Sequence, residues 1–206
     1  RFSEFDLVHA DVGSFAFAAS RLKKRNPKVK FFITIHEVGQ PRYEPSLKGR
    51  WFLRAENLLM RIASRRAEVV IVRNHHMEEL VSKEWGIKNC VIMGDGIDVD
   101  LFKPAVVDKE QHNKLWGDVE HKLLFVGRTD YRKGVVQLIE SAKYLIEDEL
   151  SFRLVIVGDS KLQRSLERLI SNLKLGNYVY LYGRVEEAEL PSLYSSADLT
   201  IVPSIY

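Results

Sequence analysis

Four charged side chains and two glycines stand together in Gly127-Arg128-Thr129-Asp130-Tyr131-Arg132-Lys133-Gly134, directly after the apolar run Leu123–Val126. From Val135 to about Ile146 apolar residues recur at helical spacing, so Lys133 falls at or beside a helix N-terminus. That is the positive end of the helix dipole, a poor place for a cation. Arg128 and Arg132 add to the repulsion, and Asp130 offsets one charge. An anion would resolve the conflict. Free backbone N–H groups at helix N-termini bind phosphate, and glycines let backbone approach a ligand closely. The run therefore reads as a diphosphate site, against the plainer reading of a solvated basic turn.

The elements that must position this run come from the rest of the chain. With 206 residues, 46% of them hydrophobic, the protein can bury a real core. A net charge of +3 is too weak to argue for nucleic acid, and none is expected as a partner. The charge is uneven. Residues 1–104 hold 18 Lys/Arg against 13 Asp/Glu, and residues 105–206 hold 13 against 15. The single cysteine, Cys90, has no internal disulfide partner, which suggests a reducing, cytoplasmic setting. No apolar stretch approaches the ~20 residues that span a bilayer. The chain starts at Arg1, opens almost at once on an apolar run and stops on another, so both ends read as cuts through a longer protein.

Strand and helix patterns alternate throughout, which implies α/β architecture with parallel sheets and covering helices. Strands are expected at 6–10, 30–35, 68–72 and 90–93, with helices near 13–25, 47–66 and 75–85. Asn74 is placed to cap the last of these. The second half has strands near 122–126, 153–157, 178–182 and 199–202, and helices near 134–147, 161–173 and 187–196. The stretch from Gly94 to about Glu120, with Lys103-Pro104 and a polar run from Asp108 to Asn113, reads as the break between two units. Ligands in such sheets sit beyond the carboxyl ends of strands. The turns to watch are therefore His9–Gly13, His36–Gly39, Gly94–Asp98, Gly127–Gly134, Gly158–Ser160 and Gly183-Arg184.

Two other features invite functional readings. His75-His76 suggest a metal pair, but adjacent helical residues point about 100° apart and chelate poorly. In the helix near 47–66, Arg50, Arg54, Arg61 and Arg65 form a stripe beside an apolar face of Trp51, Ala55, Leu58, Leu59 and Ile62. A core-packed helix with a solvated arginine edge is the plainer account. The competing one is peripheral contact with an anionic membrane, at its inner face in the cell.

Several stretches together resemble the retaining, sugar-nucleotide-dependent glycosyltransferases of family four, which have the GT-B fold of two Rossmann-like domains. They are Asp6-Leu7-Val8-His9-Ala10, Thr34-Ile35-His36-Glu37, Gly94-Asp95-Gly96-Ile97-Asp98 with Phe102-Lys103-Pro104, Phe125-Val126-Gly127-Arg128 with Lys133-Gly134, Leu154–Gly158, Tyr182-Gly183-Arg184-Val185, and Glu189-Leu190-Pro191 through Tyr194, Ala197-Asp198 and Pro203-Ser204. Three departures stand out. Ser160 replaces the second glycine after the second donor-domain strand, where with Gln163 it reads as a capping box. Asp95 stands where an asparagine is common. The family's glutamate pair would begin just past Tyr206.

The resemblance implies two incomplete domains, with residues 1–100 the remnant of an acceptor-side domain and 101–206 the donor-nucleotide domain. It implies a sugar moved from a nucleoside-diphosphate donor to a hydroxyl of a glycan or lipid-linked acceptor, with retention of configuration. The fragment alone is expected to be inactive. Arg128 and Lys133 would hold the diphosphate, making a metal unnecessary; no other cofactor is expected. Gly127, Gly134 and Gly158 would shape the donor site, and Gly183 and Arg184 would lie near the base. His36 would face sugar and acceptor, while His9, Asp198 and Tyr194 read as structural. Competing readings are a non-catalytic nucleotide-binding module and another GT-B enzyme such as a nucleotide-sugar epimerase. A dinucleotide-dependent oxidoreductase is disfavoured, since no Gly-x-Gly-x-x-Gly follows a strand.

Overall fold

The computed structural model describes residues 5–205, except 45, 106, 108, 160 and 161, and without the side chains of 109 and 111. The chain divides into two compact units between Gly96 and Ile97.

The first unit has four parallel strands in the order β1 (Leu7–Ala10), β2 (Lys30–Ile35), β3 (Val69–Val72), β4 (Cys90–Ile92). In β2 the alternation of Lys-Phe-Phe-Ile-Thr-Ile buries Phe31, Ile33 and Ile35 completely on one face. Val70 and Val72 of β3 join them. The helices are α1 (Gly13–Arg25), α2 (Leu47–Ser64) and α3 (His75–Trp85). Ala16 and Ala19 of α1, Met60 and Ala63 of α2, and Val81 and Trp85 of α3 complete the core. Helix α3 has both ends specified. The Asn74 side chain accepts from the Met77 N–H at 2.9 Å, and Gly86 closes the other end in the left-handed region.

The second unit has parallel strands in the order β7 (Val179–Gly183), β6 (Phe152–Val157), β5 (His121–Val126), β8 (Leu199–Thr200). Central β6, Phe-Arg-Leu-Val-Ile-Val, is buried nearly throughout, as a strand covered on both faces requires. One face carries Phe125, Leu154 and Ile156 against Val135, Leu138, Ile139 and Ala142 of α5 (Val135–Glu147) and Leu166 and Ile170 of α6 (Gln163–Asn172). The other carries Leu124, Val155 and Val157 with Trp116 and Leu193.

Two expectations need correction. Much of the polar stretch read as a break is helix α4 (Lys109–Trp116), anchored by Trp116, whose indole N–H donates to Ser196 Oγ at 3.0 Å inside the core. The helix expected at 187–196 is a 3₁₀ turn over Glu187–Glu189 followed by α7 (Leu190–Ser196), with Pro191 in its first turn. The capping box read at Ser160 lies outside the described residues.

In the second unit the chain runs from β5 outward through β6 to β7 and then returns to β8 on the other side of β5. The order reverses between β5 and β8, and in such sheets ligands sit beyond the carboxyl ends of the strands near that reversal. The turn after β5 is the basic run.

Candidate functional site

The carboxyl ends of β5, β6 and β7 are locked together by backbone. The Gly127 N–H donates to the Val157 carbonyl at 3.0 Å, and the Gly158 N–H donates to the Gly183 carbonyl at 2.7 Å. Gly158 has φ +126°, where side chains are strained, and a Cβ there would stand 1.9 Å from the Gly127 carbonyl oxygen. An open cleft of about 420 Å³ lies over these strand ends, lined by Gly127, Arg128, Gly158, Asp159, Arg184 and Leu190 among others. Four expected site residues thus share one cleft, and Gly183 adjoins it through its hydrogen bond to Gly158.

Lys133 and Gly134 belong to the same turn but do not line that cleft. Tyr131–Lys133 form a 3₁₀ turn, and Gly134 follows at φ +69° as the N-cap of α5. No side chain caps α5, so its first N–H groups are left for another acceptor. The turn is strapped to the end of β8. The Ile205 N–H donates to the Arg132 carbonyl at 2.8 Å, and a Cβ on Gly134 would meet the Pro203 carbonyl at 2.1 Å.

The charges in this turn are arranged unequally. Asp130 accepts from the Arg132 N–H at 3.1 Å, which fixes the turn. Its Oδ2 lies 3.2 Å from Arg128 Nη2 and 3.9 Å from Arg132 Nη2. One carboxylate therefore serves two guanidinium groups, while Lys133 has no ion pair among the described residues. The Arg128 side chain is 65% exposed, so that pair adds little stability and leaves the fork available to a ligand.

His36, expected to act on sugar and acceptor, lies in the first unit just past β2. It lines a cleft of about 320 Å³ with Asp11, Glu37, Glu56 and Asn57 among others. Its Nδ1 accepts from Arg73 Nε at 3.0 Å and lies 2.6 Å from Arg73 Nη2, and its Nε2 is 3.8 Å from Asp11 Oδ2. The remaining Arg73 nitrogen, Nη1, donates to Asp95. Arg73 did not figure among the sequence candidates. It follows β3, and Asp95 follows β4, so the turns after all four strands of this unit contribute to the cluster. Nearby, Glu56 Oε2 accepts from the Ser14 N–H at 3.2 Å, filling the N-terminus of α1 with a carboxylate of the protein itself.

His9 Nε2 is hydrogen-bonded to Thr34 Oγ1 at 2.7 Å. Asp198 accepts from the Lys122 N–H at 2.7 Å, joining the starts of β5 and β8. Burial pushes the Tyr194 hydroxyl above its ordinary pKa. Burial and then the nearby Glu78 raise the Cys90 thiol, which is therefore a poor nucleophile. His75 is exposed and adjoins Glu78 at 3.4 Å.

Helix α2 departs from the core-packed expectation. Only Met60, Ala63 and Ser64 are fully buried and Leu53, Leu59 and Ile62 are half-buried, while Leu47, Trp51, Phe52 and Leu58 are 72%, 68%, 64% and 56% exposed. Arg54 lies over the Trp51 ring at 5.5 Å. Among the described residues no helix is long and apolar enough to cross a membrane.

Comparison with known proteins sets these features in context. The family described as Glycosyltransferase Family 4 matches residues 1–101, and that described as Glycosyl transferases group 1 matches residues 107–206. The chain belongs to the GT-B glycosyltransferases. This glycosyltransferase chain is 23% identical over 205 residues to the 2-deoxystreptamine glucosyltransferase of Streptomyces kanamyceticus, covering 97% of itself and 53% of that protein. Among solved structures it resembles sucrose-phosphate synthase from Thermosynechococcus elongatus, with TM-score 0.77 and 22% identity over 98% of the chain and 51% of that protein. It also resembles Anabaena HepE, solved with UDP, with TM-score 0.73 and 19% identity over 98% of the chain and 54% of that protein. The chain spans about half the length of these relatives.

Proposed function

We propose that this chain holds the donor nucleotide of a retaining glycosyltransferase, with a nucleoside-diphosphate sugar as donor and a hydroxyl of a glycan or lipid-linked molecule as acceptor. The carrying observation is the gathering of Gly127, Arg128, Gly158 and Arg184 around one cleft at the strand ends, with Lys133, which has no ion pair among the described residues, beside the start of α5, whose N-cap glycine offers no side-chain cap. In the reaction the bond from the anomeric carbon to the diphosphate oxygen breaks, and the acceptor oxygen takes its place on the same face. Negative charge grows on the departing diphosphate. Arg128 and Lys133 are fixed cations that stabilise this charge more in the transition state than in the ground state. Arg128 offers two donors in a plane, and Lys133 a point charge. Gly183 and Arg184 adjoin the base, and His36 hydrogen-bonds the sugar or acceptor.

The exposed apolar and aromatic side chains of α2, together with Lys48 and Arg54, support a second part of the reading. This face rests on an anionic lipid surface, at the inner face of the membrane, where a lipid-linked acceptor would be found.

Transfer is tested in a longer protein that carries this chain together with the expected glutamate pair, by offering UDP-, GDP- and ADP-sugars with glycan and lipid-linked acceptors and following nucleoside diphosphate release. The anomeric configuration of the product is then read by proton NMR. Product with the donor's configuration is expected. Inversion would overturn retention, and donor binding without release would point to a non-catalytic module.

A further inference from the structure

Arg73 is placed between two groups, His36 and Asp95, that lie far apart along the chain. Its Nε and Nη2 both face Nδ1 of His36, at 3.0 and 2.6 Å, and its Nη1 is ion-paired with Asp95. These three residues follow β2, β3 and β4, adjacent parallel strands whose ends the register brings side by side. Asp95 is also one of the departures from the family pattern, standing where asparagine is common. A carboxylate there has a physical reason once Arg73 is present, because it anchors the far side of the guanidinium.

We propose that Arg73 is a positioning residue that fixes the tautomer of His36, so that His36 acts as a hydrogen-bond donor through Nε2 and not as a base. A guanidinium has only donors. Any ring nitrogen that accepts from it must carry a lone pair, so Nδ1 is unprotonated and the imidazole proton resides on Nε2. Nε2 is 3.8 Å from Asp11 Oδ2, beyond a direct hydrogen bond, and so its N–H is left for an oxygen acceptor in the cleft. Among the described residues, the ring is paired with Arg73 and Asp11, with Asp95 behind Arg73, and Glu37 and Glu56 line the same cleft. The ion pair itself is largely exposed and contributes little to stability, so its consequence lies in orientation. That a substrate oxygen receives this N–H rests on the glycosyl-transfer reading; the tautomer does not.

The test is long-range proton–nitrogen NMR of the histidine rings in the 15N-labelled chain, at a pH where the imidazoles are neutral. His36 signals are assigned by their loss in His36→Gln. In the wild type, Nδ1 should show the shift of an unprotonated acceptor and Nε2 that of a protonated nitrogen. In Arg73→Met both shifts should move toward values averaged over the two tautomers, with an unchanged circular dichroism spectrum. A wild-type Nδ1 that carries the proton, or an Arg73→Met spectrum identical to wild type, overturns the proposal. In a transfer assay, His36→Gln, Arg73→Met and the double variant should lose the same factor, about tenfold for one hydrogen bond. Additive losses would mean that Arg73 does not act through His36. The transfer assay uses the longer protein that also carries the expected glutamate pair, where absence of transfer by the wild type would refute the glycosyl-transfer reading and leave the tautomer result standing.

Discussion

The carbonyl oxygen of Gly127 occupies the place where a Cβ on residue 158 would go, 1.9 Å from its ideal position. The ends of β5 and β6 approach this closely because residue 158 is glycine, and the cleft lined by Arg128 and Arg184 opens where they meet. Gly158→Ala must part the two turns and also hold a side chain at φ +126°. It should destabilise the protein by roughly 1–3 kcal/mol, measured by urea unfolding. Gly176→Ala is the control, since a Cβ there meets nothing within 4 Å and should change stability little.

A polar link lies buried in the second-unit core, from the Trp116 indole N–H to Ser196 Oγ, which donates onward to the Leu193 carbonyl at 2.8 Å. Ser196→Ala leaves the fully buried indole N–H without its partner. A loss of about 1–3 kcal/mol is expected from an orphaned buried donor. An unchanged unfolding midpoint would show that α4 is not held by this link.

In the first unit, Glu68 joins three elements. Its Oε2 accepts from the Phe31 N–H at 2.8 Å, and its Oε1 accepts from Lys23 of α1. Burial raises its carboxyl pKa, but the hydrogen bond from Lys23, the backbone N–H bonds and the Lys23 charge together outweigh that and hold it below the ordinary 4.5. The folded value lies below the unfolded one. The stabilisation is therefore complete above about 4.5 and disappears as pH falls through the lowered value. Glu68→Gln should be less stable than wild type at neutral pH, with the difference closing in acid. A stability gap independent of pH would contradict this role.

The exposed face of α2 predicts salt-sensitive binding to vesicles. Co-sedimentation should be stronger with anionic than with neutral phosphatidylcholine vesicles and should weaken as ionic strength rises. Replacing Trp51 and Phe52 by serine should reduce it, as should Arg54→Glu. Equal recovery with neutral vesicles would remove the membrane from the account.

Much of the fold was legible because its signals are local. The alternation in Lys30–Ile35, the i, i+3, i+4, i+7 spacing of Val135, Leu138, Ile139 and Ala142, and the cap at Asn74 each fix an element within a few residues. Helix α4 was not legible because Lys109–Lys114 is polar throughout, and its anchor, Trp116, depends on Ser196, distant in sequence. The exposure of Trp51 and Leu58 could not be read either. A helical wheel shows which side chains share a face, but not whether anything packs against it. Gly127, Arg128, Gly158 and Arg184, singled out by their position after strands, line one cleft, because that rule rests on topology. The same rule applied to β3 would have pointed to Arg73, and the acidic Asp95 was the signal that a cation lay nearby.

The central claim is that the turn after β5 holds a diphosphate. Calorimetric titration of UDP, GDP and ADP, each paired with its free nucleoside, tests it on wild type and on Arg128→Ala with Lys133→Ala. The account predicts that one diphosphate binds wild type clearly better than its nucleoside. It also predicts that this advantage is largely lost in the double variant, by about 10–150-fold for each cation removed, while nucleoside binding is little changed. Equal weakening of nucleoside and diphosphate, or a diphosphate advantage that survives both substitutions, would contradict it.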